Sequence, residues 1–149
     1  MARVVGIGNQ SFESIRKKDT FYIDKTAFIK EWWENEDIVT LITRPRRFGK
    51  TLNMDMLRCF FSNEYKDRGE LFEGLNIWED EKYRKIQGAY PVIFLSFAGI
   101  KGNTFELSRK QISDRIIDLY ESNRFLLKSD CISDTEKARY ISFLENPMD

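Results

Sequence analysis

Histidine is absent from the 149 residues of this sequence, and the only cysteines are Cys59 and Cys131. Without histidine, Ser-His-Asp triads, histidine-ligated metals and Cys2His2 zinc fingers are excluded. Net charge is also absent, because 24 basic side chains balance 24 acidic ones, which argues against a long nucleic-acid-binding surface. No apolar run approaches the ~18 residues of a membrane span. We therefore expect no membrane partner.

Apolar residues make up 42% of the sequence and charged residues 32%, a balance typical of a globular domain with a buried core. The N-terminal residues lack the long apolar segment of a signal peptide, so we expect a cytoplasmic protein. Cys59 lies within a helical apolar pattern and is interpreted as a buried thiol.

Two apolar segments, residues 38–43 and 91–97, predict the strands of an α/β fold. Their near-continuous apolar character is typical of strands buried on both faces in a parallel sheet. Helical spacing and capping signals predict helices around them. These helices cover residues 11–18, 24–35, 50–62 and 104–123, and a last one opens with the capping box Ser133 to Glu136. We expect a partial P-loop NTPase-type parallel sheet flanked by helices, truncated because two strands are too few for it.

The segment after the first predicted strand ends in Gly49-Lys50-Thr51 and opens a helical pattern. A P-loop has the pattern G-x-x-x-x-G-K-[ST], and Arg44 stands where its first glycine belongs. Such a loop binds phosphate through backbone N–H groups at a helix N-terminus. Lys50 is then the candidate to neutralise phosphate charge, and Thr51 is the candidate Mg²⁺ ligand.

Arginines of the loop are candidates to replace the backbone donors that a first glycine would allow. Arg46 and Arg47 can make bidentate contacts with phosphate oxygens, and we assign catalysis to Lys50 and Arg47. The predicted nucleotide-binding residues are Arg44, Pro45, Arg46, Arg47, Phe48, Gly49, Lys50, Thr51 and Leu52.

Hydrolysis of a nucleotide also needs a carboxylate on Mg²⁺, usually an Asp at the end of a later apolar strand. Residues 91–97 are followed by Ala98-Gly99. No other apolar segment that could form a strand ends in Asp or Glu. We therefore expect the acidic strand outside this chain and no catalysis by these residues alone. The alternatives are a module that binds nucleic-acid phosphates, a degenerate nucleotide-binding fragment without turnover, and an ordinary turn with a solvated basic surface.

Five segments together resemble the AAA-ATPase-like family of bacterial and archaeal proteins. They are Phe12-x-x-Ile-Arg16, Phe21-Tyr-Ile-Asp-Lys-Thr26, Leu41-Ile-Thr-Arg-Pro-Arg-Arg-Phe-Gly-Lys-Thr51, Leu71-Phe-x-Gly-Leu75 and Tyr90-Pro-Val-Ile-Phe-Leu-Ser-Phe97. The resemblance implies that the arginine-bearing loop is the normal form, and that Lys50 and Thr51 act on ATP and Mg²⁺. It also implies that residues 1–149 are the N-terminal part of one such domain, with residues 1–25 leading into it.

Members of this family are predicted ATPases, often followed by a nuclease-like domain of the PD-(D/E)XK type, which no residue here represents. Asp24, Lys25 and Thr26 also match the family pattern. We interpret Asp24 as the cap of the helix that follows it rather than as a direct ligand.

Overall fold

The computed structural model describes residues 4–6, 8–45 and 48–146, and this part of the chain is helical. Its α-helices are α1 (Phe12–Lys17), α2 (Ala27–Asn35), α3 (Lys50–Phe61), α4 (Glu81–Ile86), α5 (Phe105–Ser122) and α6 (Asp134–Glu145). Short 3-10 helices cover Asn63–Tyr65, Gly69–Leu71, Asn76–Glu79 and Arg124–Lys128.

The predicted parallel sheet is wrong. Among the described residues no strand forms, and one isolated parallel bridge joins Ser62 to Tyr90. Residues 38–43 and 91–97 are neither helix nor strand, and side chains expected to be buried are exposed, with Ile38 at 100% and Ile93 at 70%. A strand needs a neighbour that satisfies its backbone N–H and C=O groups, and no segment in the described ranges provides one.

Local signals mark the starts of α1, α5 and α6, and the predicted helices at these positions are confirmed. The hydroxyls of Ser11 and Thr104 each accept the backbone N–H three residues later, at the starts of α1 and α5. Ser133 and Glu136 form the predicted capping box of α6. Because such caps join residues close in sequence, they need no help from the rest of the fold.

The chain divides into two compact units between Val92 and Ile93, and the core lies in the first. The buried core side chains are Phe12, Ile29, Met56, Cys59, Phe60, Phe61, Leu71, Phe72, Leu75, Ile77 and Tyr83. The Phe72 ring centroid lies 5.1 Å from that of Phe12 and 5.1 Å from that of Phe60. One ring therefore ties α1 and α3 to the connection between α3 and α4, and the predicted burial of Cys59 is confirmed.

In the second unit, α5 and α6 pack through aromatic side chains. The Tyr120 ring centroid lies 4.6 Å from that of Tyr140 and 4.4 Å from that of Phe143, and the Tyr140 hydroxyl donates to the Tyr120 carbonyl. With 18 residues, α5 is the longest helix of this part of the chain. Neither it nor any other helix in the described ranges is apolar enough over a sufficient length to cross a membrane.

Candidate functional site

The loop before α3 brings a glycine with left-handed backbone to the start of that helix. Gly49 is the N-cap of α3 and has φ +75° and ψ 19°. Residues with a side chain adopt this region at a steric cost, whereas glycine does not. Of the atoms in the described residues, a Cβ on Gly49 would meet only the Lys25 Nζ within 4 Å, at 3.8 Å. The backbone of Gly49 therefore has open space beside it.

The first turn of α3 carries backbone N–H groups that precede the helical hydrogen-bond pattern. The Asn53 N–H donates to the Gly49 carbonyl at 2.9 Å, and the N–H groups of Lys50, Thr51 and Leu52 come before it. Gly49 offers no side chain to cap them. N–H groups without a partner inside the helix and the positive end of the helix dipole together favour an anion at a helix N-terminus.

The Lys50 side chain folds back over the loop that precedes it. Its ammonium group donates to the carbonyl of Arg44 and, at 3.4 Å, to that of Pro45. The structure thus brings the Lys50 side chain to the backbone of Arg44 and Pro45. Two carbonyl contacts hold the ammonium group of Lys50 beside residues 44 and 45.

The remaining residues of the predicted set differ in their positions. Phe48 is 59% exposed, Thr51 is exposed in the first turn of α3, and Leu52 packs against the core. Arg46 and Arg47 lie outside the described residues. Within the described ranges, no group of three or more His, Cys, Asp or Glu side chains is arranged to hold a metal ion. Thr51 is therefore not part of a carboxylate cluster in this part of the chain.

Lys25 is a neighbour of the loop to which the sequence pattern assigned no role. Its Nζ lies 3.8 Å from the Cβ position of Gly49, although the two residues are far apart in sequence. The one signal that could have identified it is its place in the Asp24-Lys25-Thr26 match to the family pattern. Tertiary structure, rather than spacing along the chain, brings this second ammonium group to the loop.

Asp24 and Thr26 hold the backbone on either side of Lys25. The prediction that Asp24 caps α2 is wrong, because Thr26 is the N-cap and α2 begins at Ala27. The Asp24 carboxylate instead accepts the Thr26 N–H at 2.8 Å, the Thr26 hydroxyl at 2.7 Å and the Asn76 N–H at 2.8 Å. Burial raises the pKa of Asp24, but the hydrogen bonds from Asn76 and Thr26 outweigh it and hold the pKa below its usual value.

Comparison with known proteins identifies the family of this chain. A family model described as a predicted AAA-ATPase matches residues 6–147. An "uncharacterized protein in vnfD 5′ region" of Azotobacter chroococcum mcd 1 is 31% identical over 136 residues, which cover 90% of this chain and 24% of that protein. The chain thus spans about a quarter of the length of this relative. No solved structure matches the chain. Because the family model extends over nearly the whole sequence, the chain belongs to the AAA-ATPase-like family of predicted AAA-ATPases.

Proposed function

We propose that the chain binds ATP at the loop of residues 44–52, as part of an ATPase whose catalytic centre is completed by the longer protein. The observation that carries the proposal is the geometry of Gly49 and Lys50 at the N-terminus of α3. Membership in a family of predicted AAA-ATPases supports a nucleotide as the anion. The relative's greater length supports placing the rest of the centre elsewhere in the polypeptide.

The groups around the loop fit a polyphosphate. Backbone N–H groups at the start of α3 supply donors, and the open space beside Gly49 lets phosphate oxygens approach the backbone closely. Lys50 supplies a positive charge at the same turn. Its contacts with the carbonyls of Arg44 and Pro45 are ones that a phosphate oxygen could replace, because an ammonium group has several donors.

We assign roles in binding to four side chains of the loop. Lys50 neutralises phosphate charge, and Arg46 or Arg47 adds planar, bidentate donors. Thr51 stands in the first turn of α3, where its hydroxyl would be one ligand of Mg²⁺. When bound, Mg²⁺ would supply charge neutralisation to the phosphate oxygens and so favour phosphoryl transfer to water. Arg47 and Lys50 are the residues of this chain that we propose for catalysis.

The test is the affinity for ATP of the intact Lys50→Ala protein, measured by isothermal titration calorimetry. We expect the variant to lose detectable ATP binding while its thermal unfolding midpoint stays near that of the wild type. Lys85→Ala is the matched control, since Lys85 is an exposed lysine of α4 that pairs with Glu81. Unchanged ATP affinity in Lys50→Ala would overturn the assignment.

The nucleic-acid alternative makes a different prediction for the same proteins. Contacts with nucleic-acid phosphates weaken steeply with added salt and do not depend on ATP. The zero formal net charge of the chain argues against it. Binding of a single-stranded oligonucleotide that Lys50→Ala removes, together with no heat of ATP binding in the wild type, would replace our proposal with this alternative.

A further inference from the structure

Two ammonium groups from different parts of the chain lie at the loop. Lys50 touches the carbonyls of Arg44 and Pro45 from within the loop. Lys25 approaches Gly49 from the segment before α2, with its Nζ 3.8 Å from the position of a Cβ. Lys25 therefore occupies the side of the loop where the glycine leaves the backbone uncovered.

The backbone around Lys25 is fixed by hydrogen bonds to a distant segment. Asp24 accepts the Asn76 N–H at 2.8 Å, and the Thr26 hydroxyl accepts the Ile77 N–H at 3.2 Å. Thr26 is fully buried, with 0% of its surface exposed. Hydrogen bonds from the 76–77 segment therefore fix both residues that flank Lys25, while Lys25 itself is exposed.

Tyr22 connects the segment around Lys25 to α3, the helix that follows the loop. Its hydroxyl donates to the Met56 Sδ at 3.2 Å and accepts the Lys25 N–H at 3.4 Å. The Tyr22 ring also meets the buried Phe12 ring edge to face, at 5.5 Å between centroids. Lys25 is thus attached both to the 76–77 segment and to α3, so its side chain starts from a fixed position near the loop.

The Lys25 side chain is exposed and is not part of the core cluster. None of the ion pairs found among the described residues involves Lys25. Two ammonium groups directed at one loop repel each other unless an anion lies between them. Such an arrangement favours a ligand with several negative charges over one with a single charge.

We infer that Lys25 is a second lysine, besides Lys50, that binds the phosphates of the nucleotide, on the side of the loop where its Nζ lies near Gly49. The inference rests on the proposed function, because it takes the loop as the nucleotide site. It adds a ligand preference: nucleoside triphosphates should bind more tightly than diphosphates, and monophosphates should gain little from Lys25.

The experiment compares intact Lys25→Ala, Lys25→Arg and Lys85→Ala proteins by calorimetric titration with ATP, ADP and AMP. We expect Lys25→Ala to weaken ATP binding about tenfold, the size expected for one charge-assisted hydrogen bond. AMP affinity should change little, Lys25→Arg should recover most of the ATP affinity, and Lys85→Ala should match the wild type. Thermal unfolding midpoints of all three should stay close to that of the wild type, since Lys25 and Lys85 are exposed.

The outcomes separate this inference from the proposed function. If Lys50→Ala loses ATP binding and Lys25→Ala binds ATP like the wild type, the role of Lys25 is wrong and the loop remains the site. If neither substitution changes ATP affinity, the loop is not the site, and both proposals fall. The inference would also be overturned if Lys25→Ala lost affinity for ATP and for AMP by the same factor. Such a result would show that Lys25 does not contact the outer phosphates, which AMP lacks.

Discussion

The carboxylate of Asp55, on α3, accepts the backbone N–H of Phe12, the first residue of α1, at 2.8 Å. Its other oxygen pairs with the Arg58 guanidinium at 2.9 Å. Asp55 is only 6% exposed, and its charge lies at the N-terminal end of α1, where the helix dipole favours it. The helix that begins at the candidate site therefore also fixes the position of α1.

Removing this carboxylate should destabilise the first unit. In Asp55→Ala, the Phe12 N–H loses this acceptor and the half-buried Arg58 loses the carboxylate that pairs with it at 2.9 Å. We expect the free energy of unfolding to fall by about 3 kcal/mol, the typical cost of breaking a buried pair from one side. Urea denaturation followed by tryptophan fluorescence measures it. Glu81→Ala is the control, because Glu81 and Lys85 form an ion pair that is 70% and 72% exposed. Equal stability of the two variants would contradict the prediction.

Asp24 should make the stability of the fold depend on acid pH. Its pKa is held below the usual value by the Asn76 and Thr26 hydrogen bonds, which outweigh the effect of burial. A lowered folded-state pKa stabilises the protein above the unfolded-state pKa, and this contribution is lost as the pH falls through the folded-state value. We expect wild type to be more stable than Asp24→Asn at pH 7, with the gap closing below about pH 4. The check is the free energy of unfolding of both proteins as a function of pH. A difference in stability that stays constant down to about pH 2.5 would contradict the prediction.

The two thiols should differ sharply in reactivity. Cys59 is buried and Cys131 is exposed, and burial, assisted by the nearby Asp55 charge, raises the pKa of Cys59 to about 11. Because the thiolate is the nucleophile, Cys59 should be inert at pH 8. We expect Ellman's reagent to label only Cys131 in the native protein and both thiols in urea. Rapid labelling of native Cys131→Ser would show that Cys59 is accessible.

Gly49 and Gly74 form a matched pair for testing the loop. Their φ angles are +75° and +74°, so alanine at either position should cost about 1 kcal/mol of stability through the same backbone strain. Gly49→Ala also places a methyl group beside Lys25, where we propose that phosphate binds. We expect only Gly49→Ala to weaken ATP binding, by tenfold or more, in calorimetric titration. If Gly49→Ala and Gly74→Ala bind ATP equally well, ATP binding does not require close approach of the nucleotide to the Gly49 backbone.

The strand predictions failed for a physical reason that the helix predictions did not share. Residues 38–43 have β-branched and apolar side chains, but strand preference mainly reflects packing on a pleated, half-buried surface. In the described part of the chain that surface is missing, and Val39 is 84% exposed and Leu41 81% exposed. A pattern of residue types can indicate a strand, but it cannot supply the neighbouring strand.

The candidate site was predictable to the extent that it is continuous in sequence. Gly49 and Lys50 were identified from the loop pattern, and the structure places them at the start of α3. Arg46 and Arg47 lie outside the described residues, so their roles remain predictions. Lys25 was missed as a site residue because no spacing rule connects it to Gly49.

The sequence by itself determined where α1, α2, α3, α5 and α6 lie, the caps at Thr104 and Ser133, and the burial of Cys59. Hydrogen bonds such as those of Ser133 and Glu136 join residues close in sequence, so a local pattern can indicate them. Only the tertiary structure decided that Lys25 lies beside Gly49, because the residues that flank Lys25 are held by hydrogen bonds that Asp24 and Thr26 accept from the backbone N–H groups of Asn76 and Ile77. Contacts between distant segments depend on how the whole chain packs, and a local pattern does not contain that information.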